Sequence, residues 1–148
     1  MARYLIVANL TAESPTLRDE AARIVVQDPD AVFDVVVPRS GVTPGLALLG
    51  GLDSRTLRRT RARRVRERLA SVGARAVVVH LAKMEPLDEI DGVLSEGEFK
   101  AVIVSTLPHY LSHWLRTDLP GRISRRHPDL QVRVVTAPHE LYVESPAG

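Results

Sequence analysis

Between Ser105 and Asp118 the chain gathers residue types that often carry chemistry: His109 and His113, the hydroxyls of Ser105, Thr106 and Ser112, and the carboxylate of Asp118. Histidines four apart share one face of a helical turn, a spacing used to ligate metals. No third firm ligand accompanies them, so we expect hydrogen-bonded or solvent-facing rings and assign no metal. A hydroxyl nucleophile would need a base in reach, an orienting acid and oxyanion donors. The sequence has no G-x-S-x-G elbow, and Thr106 and Ser112 suit caps and turns better. No catalytic residue is therefore assigned, and the expectation is a protein that is not an enzyme. Trp114 reads as cover for a core, Arg116 as a partner for Asp118, and His80, His127 and His139 receive no role.

A second concentration of charge lies at "RTLRRTRARRVRER", Arg55 to Arg68, with eight arginines against one glutamate. Wound as a helix, it leaves Leu57, Val65 and Leu69 on an apolar stripe and makes the opposite face strongly positive. Phosphates could bind there, but no aromatic or amide group stands beside the arginines to read bases. Nucleic acid is thus not the expected partner, and a solvated face is the default. The alternative is an interaction protein that meets an acidic protein or a nucleic acid through this helix.

These residues must be positioned by the elements around them. "RYLIVA", "FDVVVP", "RAVVVHL", "KAVIVST" and "QVRVVT" are short Val/Ile-rich runs, mostly continuous, as suits strands buried on both faces. Four helical segments lie between them. Ser14 with Pro15 opens the first, whose Leu17, Ala21, Ile24 and Val25 share a face. Asp53 or Ser54 caps the second, which ends at Gly73. The third turns Leu87, Ile90 and Leu94 inward, and the fourth starts from Asp118 with Pro120 in its first turn and stops before Pro128. Strands alternating with helices predict right-handed crossovers and an open parallel sheet, Rossmann-like, with helices on both faces.

At 148 residues the chain fits a single domain over 1–148, large enough to bury about 70% of its unfolded surface. Residues 39–53 read as a long flexible connection and 138–148 as a tail. There are no cysteines, so no disulfide framework is expected, and no run approaches the roughly 20 apolar residues of a membrane span. A cytoplasmic protein with no membrane partner is the expectation.

The stretch "GARAVVVHLAKMEPLDEIDGVLSEGEFKAVIVST", the later "GRISRRHPDLQVRVV", and the opening "RYLIVANLTAESPTLRDEAARI" resemble universal stress protein domains, without gaps from Ala101 to Val135. The resemblance implies a five-stranded sheet in order 3-2-1-4-5 with a ligand crevice where the first and fourth strands diverge. Nucleotide-binding members have glycine, two residues, glycine, nine residues, then glycine followed by serine or threonine. Here those positions are Ser105, Pro108, Asp118 and Leu119, and all four depart. Proline lacks the N–H that a phosphate would need, and a carboxylate at Asp118 would occupy a helix start that favours anions. ATP or AMP is therefore disfavoured as a cofactor, and nucleotide hydrolysis ranks last among the readings. The wording "STLP…S.WL..DLP" resembles a glycine-less group of small universal stress-like proteins from actinobacteria.

On the other wall the family's acidic residue falls at Asn9, its hydroxyl at Thr11 and its adenine contact at Val37 or Pro38. A neutral adenosine-like ligand remains compatible with them. The expected lining is Asn9, Thr11, Pro38, Ser105, Thr106, His109, His113 and Asp118. The reading that results is a universal stress protein-like ligand-binding or signalling module with a degraded phosphate loop. A homodimer through the last strand is expected, as related domains often pair there and a bare edge strand is a liability.

Overall fold

The structure, a computed structural model, describes residues 2–8, 14–38, 55–81, 85–106 and 118–137. In chain order it contains β1 (Arg3–Val7), α1 (Pro15–Gln27), β2 (Val32–Val37), α2 (Arg55–Ser71), β3 (Ala76–Leu81), α3 (Pro86–Leu94), β4 (Ala101–Thr106), α4 (Leu119–Arg126) and β5 (Gln131–Thr136). All five expected strands and all four expected helices are present. The strand ends shift by a single residue where they shift at all. Pro38, for instance, falls just outside β2, because proline has no N–H to give to a ladder.

The strands form one parallel sheet in the order β3-β2-β1-β4-β5. Side chains of a strand alternate between faces, and the core divides accordingly. Tyr4, Ile6, Phe33, Val35 and Ile103 pack with Leu17, Ala21 and Ile24 of α1 and Val65 and Leu69 of α2. On the other face Leu5, Val7, Val36, Val102 and Val104 meet Leu87, Ile90, Val93 and Leu94 of α3 and Leu119 and Ile123 of α4. Hence α1 and α2 cover one face, α3 and α4 the other. The crossovers change face between β1 and β4, which lie side by side in the middle of the sheet.

Local chemistry sets the helix ends. Ser14 accepts a hydrogen bond on Oγ from the Thr16 amide at 3.2 Å, with Pro15 as the first helical residue. This satisfies one of the amides that a helix start leaves without an intrahelical partner. After α2 the chain reverses at Gly73, whose φ of 98° lies in the left-handed region and is free of strain only for glycine. Among the described residues no helix is long and apolar enough to cross a membrane.

Candidate functional site

The helices that follow β1 and β4, α1 and α4, lie on opposite faces of the sheet, so the topological switch point falls between the carboxyl ends of these two strands. In an open parallel sheet this is the place where ligands bind. Ser105 and Thr106, the last residues of β4, are both about 1% exposed. Alternation sends Ser105 toward the α1 face and Thr106 toward the α4 face. Thr106 Oγ1 lies 3.4 Å from Thr136 Oγ1 on β5, and its carbonyl accepts the Ala137 amide at 2.9 Å. Pro38, buried at the end of β2, flanks the same edge. Asn9, Thr11, His109 and His113 lie outside the described residues, as do Ser112, Trp114, Arg116, the 39–53 connection and the 138–148 tail.

Asp118 is the N-cap of α4, as the sequence suggests. One carboxylate oxygen accepts the Gly121 amide at 3.2 Å, and the other lies 3.5 Å from the exposed Arg125 guanidinium. At that distance and exposure the ion pair contributes little. The backbone at Asp118 has φ 55° and ψ 46°, and among the described residues it is the one non-glycine position with positive φ. Aspartate tolerates this left-handed conformation better than most residues. The position where the resemblance places a glycine thus has the backbone a glycine favours, while its side chain does what glycine could not. Gly121 is part of the device, because a Cβ there would collide with the carboxylate of Asp118.

A second polar cluster escaped the sequence reading. Asp34 sits within β2 at 1% exposure, its carboxylate bound by Arg3 Nε at 2.8 Å and Arg3 Nη2 at 3.0 Å, with His80 Nε2 at 3.1 Å from Oδ2. The same guanidinium stacks over the Phe99 ring at 4.5 Å. Burial pushes the Asp34 carboxyl upward, but the hydrogen bonds and charges of Arg3 and His80 outweigh it and hold the group below its ordinary value. Hydrogen bonding to Asp34 raises Arg3 in turn, against the opposing effect of burial. The pairings Leu5 with Asp34 and Asp34 with Val78 place the acid on the α3/α4 face. A lone acid inside "FDVVVP" was the available signal; its partners on two other strands were not readable without the sheet order.

Asp91 of α3 similarly joins Arg126 and His127 at the end of α4, with His127 Nε2 at 2.7 Å. Beside it a cavity of about 350 Å³ opens between Leu94, Phe99 and the turn Arg126–Leu130. It lies at the amino ends of β4 and β5, the opposite end of the sheet from the crevice. Among the described residues there is no cluster of three or more histidine, cysteine or acidic residues able to hold a metal.

No protein-family model and no curated protein matches this sequence. Solved structures do. A universal stress protein in complex with cAMP aligns at 12% identity over 91% of this chain and 96% of its own, with a TM-score of 0.58. One from Archaeoglobus fulgidus in complex with dAMP aligns at 14% identity over 91% of this chain and 98% of its own, with a TM-score of 0.53. An Arabidopsis thaliana member of the family with AMP bound aligns at 12% identity over 99% of both chains, with a TM-score of 0.52. At such identities the likeness is one of architecture, and it agrees with the observed strand order and helix placement. The chain has the fold of the universal stress proteins.

Proposed function

We propose that this chain is a universal stress protein-like module that binds a small adenosine-type ligand in the crevice beyond β1 and β4, and acts through occupancy rather than catalysis. Asn9, Thr11, Pro38, Ser105, Thr106, His109, His113 and Asp118 form its lining. Three structural neighbours, in complex with cAMP, dAMP and AMP, support the adenosine part of this reading. The observation that carries the rest is Asp118. Its carboxylate takes the Gly121 amide at the start of α4, where a phosphate would otherwise collect backbone N–H groups. A phosphate about 4 Å from that carboxylate would meet a repulsion on the order of 1 kcal/mol even in bulk water, and more where the site is drier. The ligand is therefore read by its base and ribose, with no resident cofactor, metal or glycine phosphate loop. We place the protein in the cytoplasm.

Thermal unfolding with millimolar adenosine, AMP, ATP and Mg²⁺ tests the proposal on the native chain and on Asp118→Gly. A ligand at about 100 times its Kd adds roughly 2.7 kcal/mol, worth several degrees in a domain of this size. Adenosine should raise the midpoint of the native chain more than ATP does, and Asp118→Gly should narrow the difference. A larger ATP than adenosine shift in the native chain would show that phosphate is welcome there. No shift with adenosine, AMP or ATP in either protein would remove the adenosine ligand altogether.

A further inference from the structure

The basic helix offers more than a solvated face. Arg59, Arg63 and Arg66 of α2 line a groove of about 250 Å³ whose floor is Ala62 of the same helix with Val79 and Leu81 of β3. All three arginines are exposed, and among the described residues none has an ion-pair partner. Ala62 is buried, and Val79 and Leu81 are half-buried against the α1/α2 core. Among the described residues β3 is a terminal strand: it pairs with β2 on one side and ends the sheet on the other. On the opposite face the neighbouring Val78 is 47% exposed. Three features thus coincide along one edge: strand backbone at the sheet's end, a row of unpaired guanidinium groups on one face, and an apolar side chain on the other.

We propose that this edge takes up an extended acidic peptide as a sixth strand, its acidic side chains toward Arg59, Arg63 and Arg66 and its apolar ones toward Val78. An added strand receives main-chain hydrogen bonds from the edge and is selected by what its alternate side chains meet. Alternate residues of a strand repeat at about 6.7 Å, while the helical rise puts Arg59 and Arg63 about 6 Å apart and Arg63 and Arg66 about 4.5 Å apart. Flexible arginine side chains absorb that difference over two or three acids. Guanidinium groups bind carboxylates through two parallel hydrogen bonds. A nucleic acid would use only the arginines. It would leave the apolar floor and the strand edge idle, and the groove lining holds no aromatic ring on which a base could stack. The peptide uses all three features, and its site is distinct from the crevice.

The probe is a fluorescein-labelled peptide in which three glutamates alternate with valines, titrated into the full chain and followed by anisotropy, with amide hydrogen exchange read in parallel. We expect saturable binding that weakens with salt, slower exchange of the β3 amides, and at least tenfold weaker binding to Arg59→Gln/Arg63→Gln/Arg66→Gln at an unchanged melting midpoint. An alternating lysine–valine peptide should not bind. Failure of the acidic peptide to bind overturns the proposal, as does binding that leaves β3 exchange unchanged in the native chain. So does a single-stranded RNA of equal charge that binds more tightly through the same arginines, or concentration-dependent self-association that the triple variant abolishes, which would make a second copy the occupant.

Discussion

Two carboxylates show how context decides what one residue type does. Asp34 is buried and triply bonded, so replacing it leaves Arg3 and His80 facing a group that no longer balances them. Breaking a buried pair from one side is costly, and we expect Asp34→Asn to destabilise by about 3 kcal/mol in urea unfolding. The sign of its pH dependence follows from its depressed folded-state value. The unfolded carboxyl titrates near pH 4, so the stabilisation is complete above that value and is lost as pH falls through the lower folded value. The gap in melting midpoint between native chain and Asp34→Asn should therefore be present at about pH 5 and shrink as the pH is taken below about 4. A gap that persists to pH 2 would mean that packing, not charge, accounts for it. Asp118 is exposed and its worth is local. Asp118→Ala loses the cap and keeps a left-handed backbone, costing about 1–2 kcal/mol. In Asp118→Gly relief of the backbone offsets the lost cap, and stability should stay within about 0.5 kcal/mol of the native chain. If both variants lose equally, the left-handed conformation is not what distinguishes them.

At the scale of elements, the starts of the first and last helices and the strand interiors were plain in the sequence, while the Asp53 or Ser54 cap expected for α2 lies outside the described residues. Ser14 and Asp118 cap as their residue types suggest, and the "QVRVVT" run is β5 from end to end. Gly121 was less legible, since a glycine three residues past an N-cap has no local signature; its role follows from the carboxylate folded over the first turn of α4. Gly121→Ala should displace that carboxylate and cost about 1 kcal/mol, and it should add little to Asp118→Ala when the two are combined. Additive losses in chemical denaturation would show that the glycine acts through something other than the cap. In the sheet interior, Ile103 is fully buried on central strand β4, and Ile103→Ala should cost about 3–4 kcal/mol.

At the scale of the molecule, each edge of the sheet poses a question of pairing. β5 ends the sheet opposite β3 and leaves Val134 44% exposed. We propose a homodimer through this strand, which light scattering should report at micromolar concentration and Val134→Lys should weaken; a monomer in the native chain would dispose of it. The sequence by itself determined the elements and the class of fold, because caps, prolines and continuous apolar runs act within a few residues of themselves. It also pointed to Asp118, since an N-cap is a local device. Only the tertiary structure decided which side chains meet across the sheet: the union of Arg3, Asp34 and His80 from three strands, the separation of Ser105 and Thr106 onto opposite faces, and the arginine groove at the β3 end of the sheet. Each depends on strand order and on the two-residue alternation of side chains once neighbours are in register, and contacts between residues far apart in the chain leave no period in the sequence to read.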